Sequence, residues 1–127
     1  MSRENVEVVR RLFDTYNRGD YEEAVACLAP DVVYGVGQEV PASGRNEVRA
    51  MWDRWETAWE YIRTVPEEFI DAGDHVVVTV RYSGRGRGSG IGYDDRLFDV
   101  YTLHDGLCVR KLEFRERSDA LEAAGLR

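Results

Sequence analysis

Asp99 is the residue whose type and surroundings point most directly to chemistry. It lies in the segment LFDVYTL, between Phe98 and Val100 in a predicted β-strand, where a carboxylate is unusual. Successive side chains of a strand point to opposite faces, so Asp99 shares its face with Leu97 and Tyr101. If that face is inward, Asp99 is a proton donor or hydrogen-bond partner in a pocket. If it is outward, Phe98 and Val100 are buried instead, and alternation alone does not decide between the two.

Glu113, in the segment KLEFRE, is the second candidate acid. If Asp99 and Glu113 both line an interior cavity, they form an acid pair or bind a polar group of a ligand. Lys111 or Arg81 could instead neutralise one of the two carboxylates. The alternative is a salt bridge at the rim, since most ion pairs lie at the protein surface.

Aromatic residues supply candidate walls for such a cavity. Trp52, Trp55 and Trp59 recur at helical spacing, which is typical of a helix face packed on a core. Trp55 and Trp59, four residues apart, are the ones that we predict to form a wall against a planar ligand. Tyr34 and Tyr101 add hydroxyl groups that can orient a ligand.

Hydrophobic periodicity and turn signals predict the elements that position these residues. Two helices open the chain, the second capped by Asp20 and ended before Pro30, and a third is capped by Asn46. A short helix capped by Ser118 closes the chain. The long helices are predicted over residues 3–17 and 46–61, the last helix over 119–124, and the strands over 31–36, 64–72, 75–83, 96–103 and 107–115.

The predicted order is αα-β-α-ββββ-α. Helices come first and consecutive strands follow, which is the α+β pattern rather than an alternating one. The 127 residues are enough for one domain. We expect a curved antiparallel sheet wrapped around the long third helix. That geometry leaves an apolar cavity between the helix and the concave face of the sheet.

The charge balance excludes several classes of protein. Lys and Arg number 17 and Asp and Glu number 24, for a net charge of −7, whereas nucleic-acid-binding domains need clustered Lys and Arg. No apolar run approaches the ~18–20 residues of a membrane span, and the N-terminus has no apolar signal core. We expect a cytoplasmic protein that binds neither nucleic acid nor membrane. Cys27 and Cys108 match no metal spacing and are predicted to be buried thiols rather than a disulfide.

Glycine alternates with other residues over the stretch 83–92. The stretch is not G-x-G-x-x-G, and it neither closes a strand nor opens a helix, so we exclude a dinucleotide-binding loop. Glycines at alternate positions share one face of an extended chain, which permits bending or close approach of another segment. We expect a curved hairpin tip near the mouth of the cavity.

Several segments carry, in order, a resemblance to a known family. They are VRRLFDTYNRGDYEEAVACLAPDVVY, SGRN (43–46), GDHVVVTVRYSGRGRGSG (73–90), LFDVYTLHDGLCVRKLEF (97–114) and SDALEAAGL (118–126). Together they cover almost the whole chain. The sequence resembles the SnoaL-like branch of the NTF2-like superfamily, which includes ketosteroid isomerases and polyketide cyclases. The resemblance implies a cone-shaped α+β fold of cystatin-like type, with the pocket inside the cone.

The same resemblance implies partners and cofactors. Relatives are often dimers that pair through the outer face of the sheet, and no cofactor or metal is typical of them. We therefore expect a homodimer that binds a small apolar or aromatic ligand and that uses no cofactor and no metal.

The resemblance also implies roles for individual residues. Asp99 occupies the strand position where the isomerases carry an acid that stabilises an oxyanion, and relatives often carry an acid at the position of Glu113. The proton-abstracting carboxylate of the isomerases lies on the first strand, near residues 34–37, where this sequence has none. Glu39 is the nearest candidate, and a solvated loop charge is its alternative interpretation. The isomerase tyrosine falls at Leu12, and Tyr16, one helical turn on, is the candidate substitute.

Two hypotheses about function follow. The first is binding of a small apolar or aromatic molecule, with cofactor-free acid–base isomerisation or cyclisation and Asp99 as the principal polar group. The second is a non-catalytic ligand-binding or dimerisation module of the same fold. The size of the cavity and the pKa of Asp99 distinguish the two, since a perturbed acid in a cleft favours chemistry.

Overall fold

The computed structural model describes residues 2–37 and 39–126. Its helices are α1 (Ser2–Asn17), α2 (Tyr21–Val25), α3 (Arg45–Ala58) and α4 (Arg117–Ala123). Its strands are β1 (Leu28–Tyr34), β2 (Ala42–Ser43), β3 (Trp59–Ala72), β4 (His75–Gly86), β5 (Gly92–His104) and β6 (Leu107–Phe114). The α+β order predicted from the sequence is confirmed, with the short strand β2 added between β1 and α3.

Helix α1 packs on β3, β4 and β6. Its apolar residues recur at helical spacing, so Val9, Leu12 and Phe13 lie together in the main core. Helix α2 follows after a break, and Asp20 is its N-cap, with a carboxylate oxygen that accepts the backbone N–H of Glu23. The capping role predicted for Asp20 is therefore confirmed.

The sheet is curved and mixed, with the strand order β2-β1-β6-β5-β4-β3. Neighbouring strands are antiparallel except β1 and β6, which run parallel, with Leu28 opposite Cys108 and Tyr34 opposite Lys111. The prediction of a wholly antiparallel sheet is wrong at this pair. Alternation of side chains identifies a strand but does not show whether its neighbour runs parallel or antiparallel to it. A turn signal identifies an antiparallel hairpin, but no single turn joins β1 to β6, because the two strands are far apart in the chain.

Strand β1 begins at Leu28, before the start that the sequence predicts, and it contains Pro30. The register between β1 and β6 shifts between Leu28 and Val33. Pro30 lies within this irregular segment, where a missing backbone N–H is tolerated. The proline therefore marks a break in the ladder of the strand rather than the end of a helix.

Helix α3 has Gly44 as its N-cap, so the prediction of Asn46 as the cap is wrong. The helix ends at Ala58, and the prediction of a helix through residue 61 is wrong as well. Trp59 has extended backbone angles, φ −108° and ψ 137°, and begins β3. It pairs with Gly86, and Tyr61 pairs with Arg85. The aromatic and β-branched residues of WEYIRTV favour a strand. The helical spacing of Trp52 and Trp55 continues to Trp59 by coincidence, although Trp59 lies beyond the end of the helix. The last helix likewise begins earlier than predicted, with Glu116 rather than Ser118 at its N-cap.

Apolar residues are buried on both faces of the sheet. The inner face packs against α1, α2 and α3 and holds the main core, which includes Val76, Val78 and Val80. The outer face carries a smaller cluster in which Ala120 and Ala124 cover Val77 and Val100. Cys27 and Cys108 are free and buried, as the sequence predicts. No described helix is long and apolar enough to cross a membrane.

The tip of the β4–β5 hairpin contacts the end of α3 and the start of β3, and Ser83 and Gly84 of this hairpin line the space inside the sheet. Gly88 and Gly90 at its tip have φ of 85° and 69°, and Arg87 donates to the carbonyl oxygens of Thr57 and Trp59. A Cβ atom at Gly84 would lie 2.8 Å from the carbonyl oxygen of Tyr61 and 3.0 Å from Cε3 of Trp59. The indole of Trp59 therefore lies directly on the backbone of β4, and the expected close approach at the alternating glycines is confirmed at Gly84.

We predict that Gly84→Ala lowers the free energy of unfolding by about 1–3 kcal/mol, because the added methyl group overpacks against backbone and indole. Gly92→Ala is the matched control, since the nearest atom to its Cβ would be 4.0 Å away. Urea denaturation followed by circular dichroism measures both variants. Equal stability of the two would mean that Trp59 does not pack on β4.

Candidate functional site

A cavity of about 370 Å³ lies between the inner face of the sheet and the helices α1 and α3. Its wall is largely aromatic and aliphatic. The structure brings together at this wall all six residues that the sequence suggested for ligand binding: Tyr16, Tyr34, Trp55, Trp59, Tyr101 and Glu113. The volume is within the range of pockets that enclose small organic molecules.

The three tryptophans reach the cavity from two elements. Trp52 and Trp55 extend from α3, whereas Trp59 extends from the first residue of β3. Trp52 is 1% exposed and packs edge-on against Tyr16, with ring centres 5.1 Å apart, and against Tyr34 at 6.1 Å. Trp52 therefore belongs to the core and to the cavity wall at once, and the aromatic rings fix one another in place.

Asp99 lies on the inner face of β5 and is fully buried, with 0% exposure. Its Oδ2 accepts hydrogen bonds from the hydroxyl of Tyr82 at 2.5 Å and from that of Tyr101 at 3.2 Å. Its Oδ1 is buried without a hydrogen-bond partner among the described residues. Tyr82 and Tyr101 line the cavity. The carboxyl group is therefore behind the wall, and it reaches the cavity through two tyrosine hydroxyls.

Lys111 and Glu113 form a buried ion pair at the same wall. Lys111 Nζ donates to Glu113 Oε2 at 2.6 Å, and the two side chains are 2% and 7% exposed. Glu113 Oε1 accepts the backbone N–H of Gly37 at 2.8 Å. Lys111 Nζ also lies 4.7 Å from the ring centre of Tyr34. The interpretation of a rim salt bridge is therefore wrong, and Arg81 pairs with Asp94 on the exposed outer side instead.

The register of β5 and β6 explains this cluster. Asp99 is directly opposite Glu113, and Tyr101 is directly opposite Lys111. Directly opposed residues on one face of an antiparallel pair have neighbouring side chains. Two carboxylates, one ammonium group and one phenol are therefore held on two pairs that are neighbours on the inner face, with the outward-facing pair of Val100 and Leu112 between them.

Burial governs the acidity of these groups. It is the largest cause that raises the pKa of Asp99 from the ordinary 3.8 to about 6. The ammonium of Lys111 lowers this pKa and the charge of Glu113 raises it. The hydrogen bonds from the two tyrosines lower it. Burial raises the pKa of Tyr82 and of Tyr101 well above 10, so both remain protonated donors. Burial alone lowers the pKa of Lys111, but the charge of Asp99 and its other neighbours reverse that effect, and Lys111 stays charged.

Tyr82 and Lys111 are the site residues that sequence reasoning left without a binding role. The signal for both is the two-residue period of a strand. Lys111 must share the face of Glu113, because the two are two positions apart on β6. Tyr82 must share the face of the buried Val78 and Val80 on β4. Its contact with Asp99 depends on the pairing of β4 with β5, in which Asp99 is opposite Val78 and Tyr82 lies four positions further along β4, and no local pattern reveals that register.

The positions that the resemblance assigned to a base and a tyrosine also lie at the cavity. Leu12 lines it, as does Tyr16 one helical turn further. The described residues 34–37 carry no carboxylate, but Glu39 is exposed and lines the cavity as well. Among the residues that the structure describes, no group of three or more His, Cys, Asp or Glu could hold a metal ion.

Comparison with known proteins identifies the fold. The model of the SnoaL-like domain family matches residues 9–111. Of solved structures, an NTF2-like protein of unknown function from Burkholderia pseudomallei is 22% identical, with a TM-score of 0.81 and coverage of 94% of this chain and 95% of that one. No curated protein matches the chain in sequence.

Two further similar structures have descriptions that mention a ligand or an activity. TerC, co-crystallised with polyporic acid, is 20% identical, with a TM-score of 0.78 and coverage of 96% of this chain and 98% of TerC. A protein of Sinorhizobium meliloti described as a candidate polyketide cyclase is 24% identical, with a TM-score of 0.73 and coverage of 84% and 93%. At these identities the likeness concerns the fold.

We predict that Asp99 makes stability fall as pH rises through its folded-state pKa. A pKa raised from 3.8 to about 6 means that the folded state binds the proton more tightly, so this contribution is present at pH 4 and lost above pH 6. The loss corresponds to about 2–3 kcal/mol. Urea denaturation of the wild type and of Asp99→Asn across this range measures it. A stability difference between the two that does not change with pH would contradict the prediction.

Proposed function

The chain belongs to the SnoaL-like domain family, and from that premise we propose that the protein binds a small, largely aromatic molecule and acts on it by acid–base chemistry without a cofactor. The single observation that carries the proposal is Asp99, a buried acid joined to an aromatic cavity by the hydroxyls of Tyr82 and Tyr101. Perturbed acids in clefts are typical of sites that move protons.

The tyrosine hydroxyls give Asp99 two states with different uses. When Asp99 is ionised, both hydroxyls donate to its Oδ2 and present only oxygen lone pairs to a ligand. When Asp99 is protonated, its own O–H donates to one tyrosine oxygen, and that hydroxyl is free to turn towards the cavity. A ligand carbonyl oxygen then accepts a hydrogen bond from the tyrosine hydroxyl, whose oxygen in turn accepts one from protonated Asp99. Polarising a carbonyl in this way favours formation of its enol.

Glu39 is the group suited to take a proton from carbon. It lines the cavity and is exposed, so its carboxylate can approach a bound ligand. Glu113 is less suited, because its two oxygens already accept hydrogen bonds from Gly37 and Lys111. With Glu39 as base and Asp99 as the source of the acid, the reaction class is enolisation of a carbonyl compound, as in an isomerase or a polyketide cyclase.

Other proteins of this fold give limited support. TerC was crystallised with polyporic acid, and the Sinorhizobium meliloti protein is described as a candidate polyketide cyclase. We carry over from them only the class of ligand, an oxygenated ring compound. A classical steroid isomerisation is not part of the proposal, because residues 34–37 hold no carboxylate at the position where those isomerases carry their base.

A second candidate function is ligand binding without turnover. The observation that favours it is the placement of Asp99 behind the wall, with no direct exposure to the cavity.

We also propose a homodimer that pairs through the outer face of the sheet, and this is compatible with both functions. Tyr61 and Val65 on β3 are 42% and 49% exposed there and are apolar enough to take part in such an interface.

Exchange of carbon-bound protons tests the first function without knowledge of the natural substrate. We predict that the wild type accelerates the exchange of the α-protons of 2-tetralone with D2O by about 100-fold or more over buffer, the usual scale of general acid–base catalysis. Asp99→Leu, Tyr82→Phe and Glu39→Gln should each lose most of this acceleration. Proton NMR follows the exchange, and calorimetric titration measures binding of the same ketone.

Asp94→Asn is the matched control, because Asp94 pairs with Arg81 outside the cavity, and it should exchange at the rate of the wild type. Binding of 2-tetralone without accelerated exchange would favour the non-catalytic function. Absence of binding would contradict both functions.

A further inference from the structure

We propose that Lys111 holds the oxygen of the ligand as an anion, so that the cavity selects aromatic compounds with an acidic hydroxyl group, phenols and enols, and binds them ionised. The inference rests on the proposed function, because an ionised enol is the species that the proposed enolisation produces. It adds the chemical class of the ligand and the residue that determines it.

The placement of Lys111 supports this role. The side chain lines the cavity although the residue is only 1% exposed. An ammonium group has three N–H hydrogens, and Glu113 accepts one of them. The same nitrogen lies over the face of the Tyr34 ring, 4.7 Å from its centre, and this cation–π contact does not replace a hydrogen-bond acceptor. Lys111 therefore retains donor capacity at the cavity, in surroundings where a charge-assisted hydrogen bond is strong.

Charge balance determines which ligands fit. The groups that face Asp99 are Lys111 and Glu113 on β6, Tyr82 on β4, Tyr101 beside it on β5 and Tyr34 on β1. With Asp99 ionised, this cluster carries one net negative charge. A ligand that enters as a preformed anion adds a second negative charge to a buried site, which is unfavourable. A ligand that enters neutral and ionises inside avoids this cost if its proton goes to Asp99.

The tyrosines provide the route for that proton. The ligand O–H bond breaks, and its proton goes to the oxygen of Tyr82. The proton that Tyr82 held goes to Asp99 Oδ2, to which it is already hydrogen-bonded. Tyr82 ends unchanged, Asp99 is neutral, and the ligand oxygen carries the charge beside Lys111. The net charge of the cluster with its ligand is the same before and after.

The probe is 3-nitrophenol, which is largely neutral in solution at neutral pH and whose ionised form absorbs at longer wavelength than the protein. Equilibrium dialysis measures binding, and absorption of the bound ligand reports its ionisation separately. We expect the wild type to bind it as the anion, with its pKa lowered by about 1–3 pH units, the effect of an opposite charge a few ångströms away. We expect no net proton release.

Two substitutions should act in opposite directions, which a general loss of folding cannot mimic. Lys111→Met should bind 3-nitrophenol in the neutral form, with its pKa above the solution value, because burial and the charge of Glu113 remain. Glu113→Gln should lower the pKa of the bound phenol further, because it removes the negative charge that competes for Lys111. Asp99→Asn should release about one proton to solvent per phenol bound, since its amide cannot accept one.

The outcomes separate the two proposals. Binding of neutral 3-nitrophenol by the wild type, or an anion spectrum that persists in Lys111→Met, overturns the inference about Lys111 and leaves the proposed function standing. No binding of 3-nitrophenol by a wild type that binds 2-tetralone overturns the inference alone, and no binding of either compound overturns both. If Lys111→Met does not fold, the direction of the change in Glu113→Gln decides: a raised pKa of the bound phenol contradicts the inference.

Discussion

A carboxyl group taken out of water must be protonated, paired or hydrogen-bonded, and Asp99 meets this requirement with two tyrosine hydroxyls on one oxygen and no described partner on the other. The rest of the site is arranged around this constraint. The pairing of β4 with β5 brings the hydroxyl of Tyr82 to this acid. The register of β5 and β6 sets Lys111 and Glu113 beside it. The aromatic wall keeps water away, which holds the pKa of Asp99 high.

The fold could be predicted from the sequence wherever a local signal exists. The period of α1 and the cap at Asp20 are local, and the structure agrees with both. The parallel pairing of β1 with β6 is not local, because it joins segments about 80 positions apart with no turn between them to reveal it. The end of α3 was predicted too late because Trp59 continues the helical spacing of Trp52 and Trp55 while its neighbours favour a strand.

The residues of the candidate site, like the elements of the fold, could be predicted only where a local sequence signal exists. Asp99 was noticeable in the sequence because a carboxylate between Phe98 and Val100 needs an explanation, but its face could not be assigned from alternation alone. The structure places it on the inner face and behind the wall, not in the open cavity. Once Glu113 is inward, the two-residue period requires that Lys111 is inward as well. The ion pair, the hydrogen bond to Gly37 and the contact with Tyr82 depend on tertiary packing and lie beyond any sequence pattern.

The most direct test of the account is the titration of the Asp99 carboxyl carbon by 13C NMR, with Asp99→Asn used to assign the signal. We predict a pKa near 6 in the free protein, well above the ordinary 3.8. We expect this pKa to rise further when the cavity is saturated with 3-nitrophenol, because an anion bound beside Lys111 favours the protonated acid. A pKa near 3.8 that does not respond to the phenol would contradict the claim that this buried acid serves the cavity.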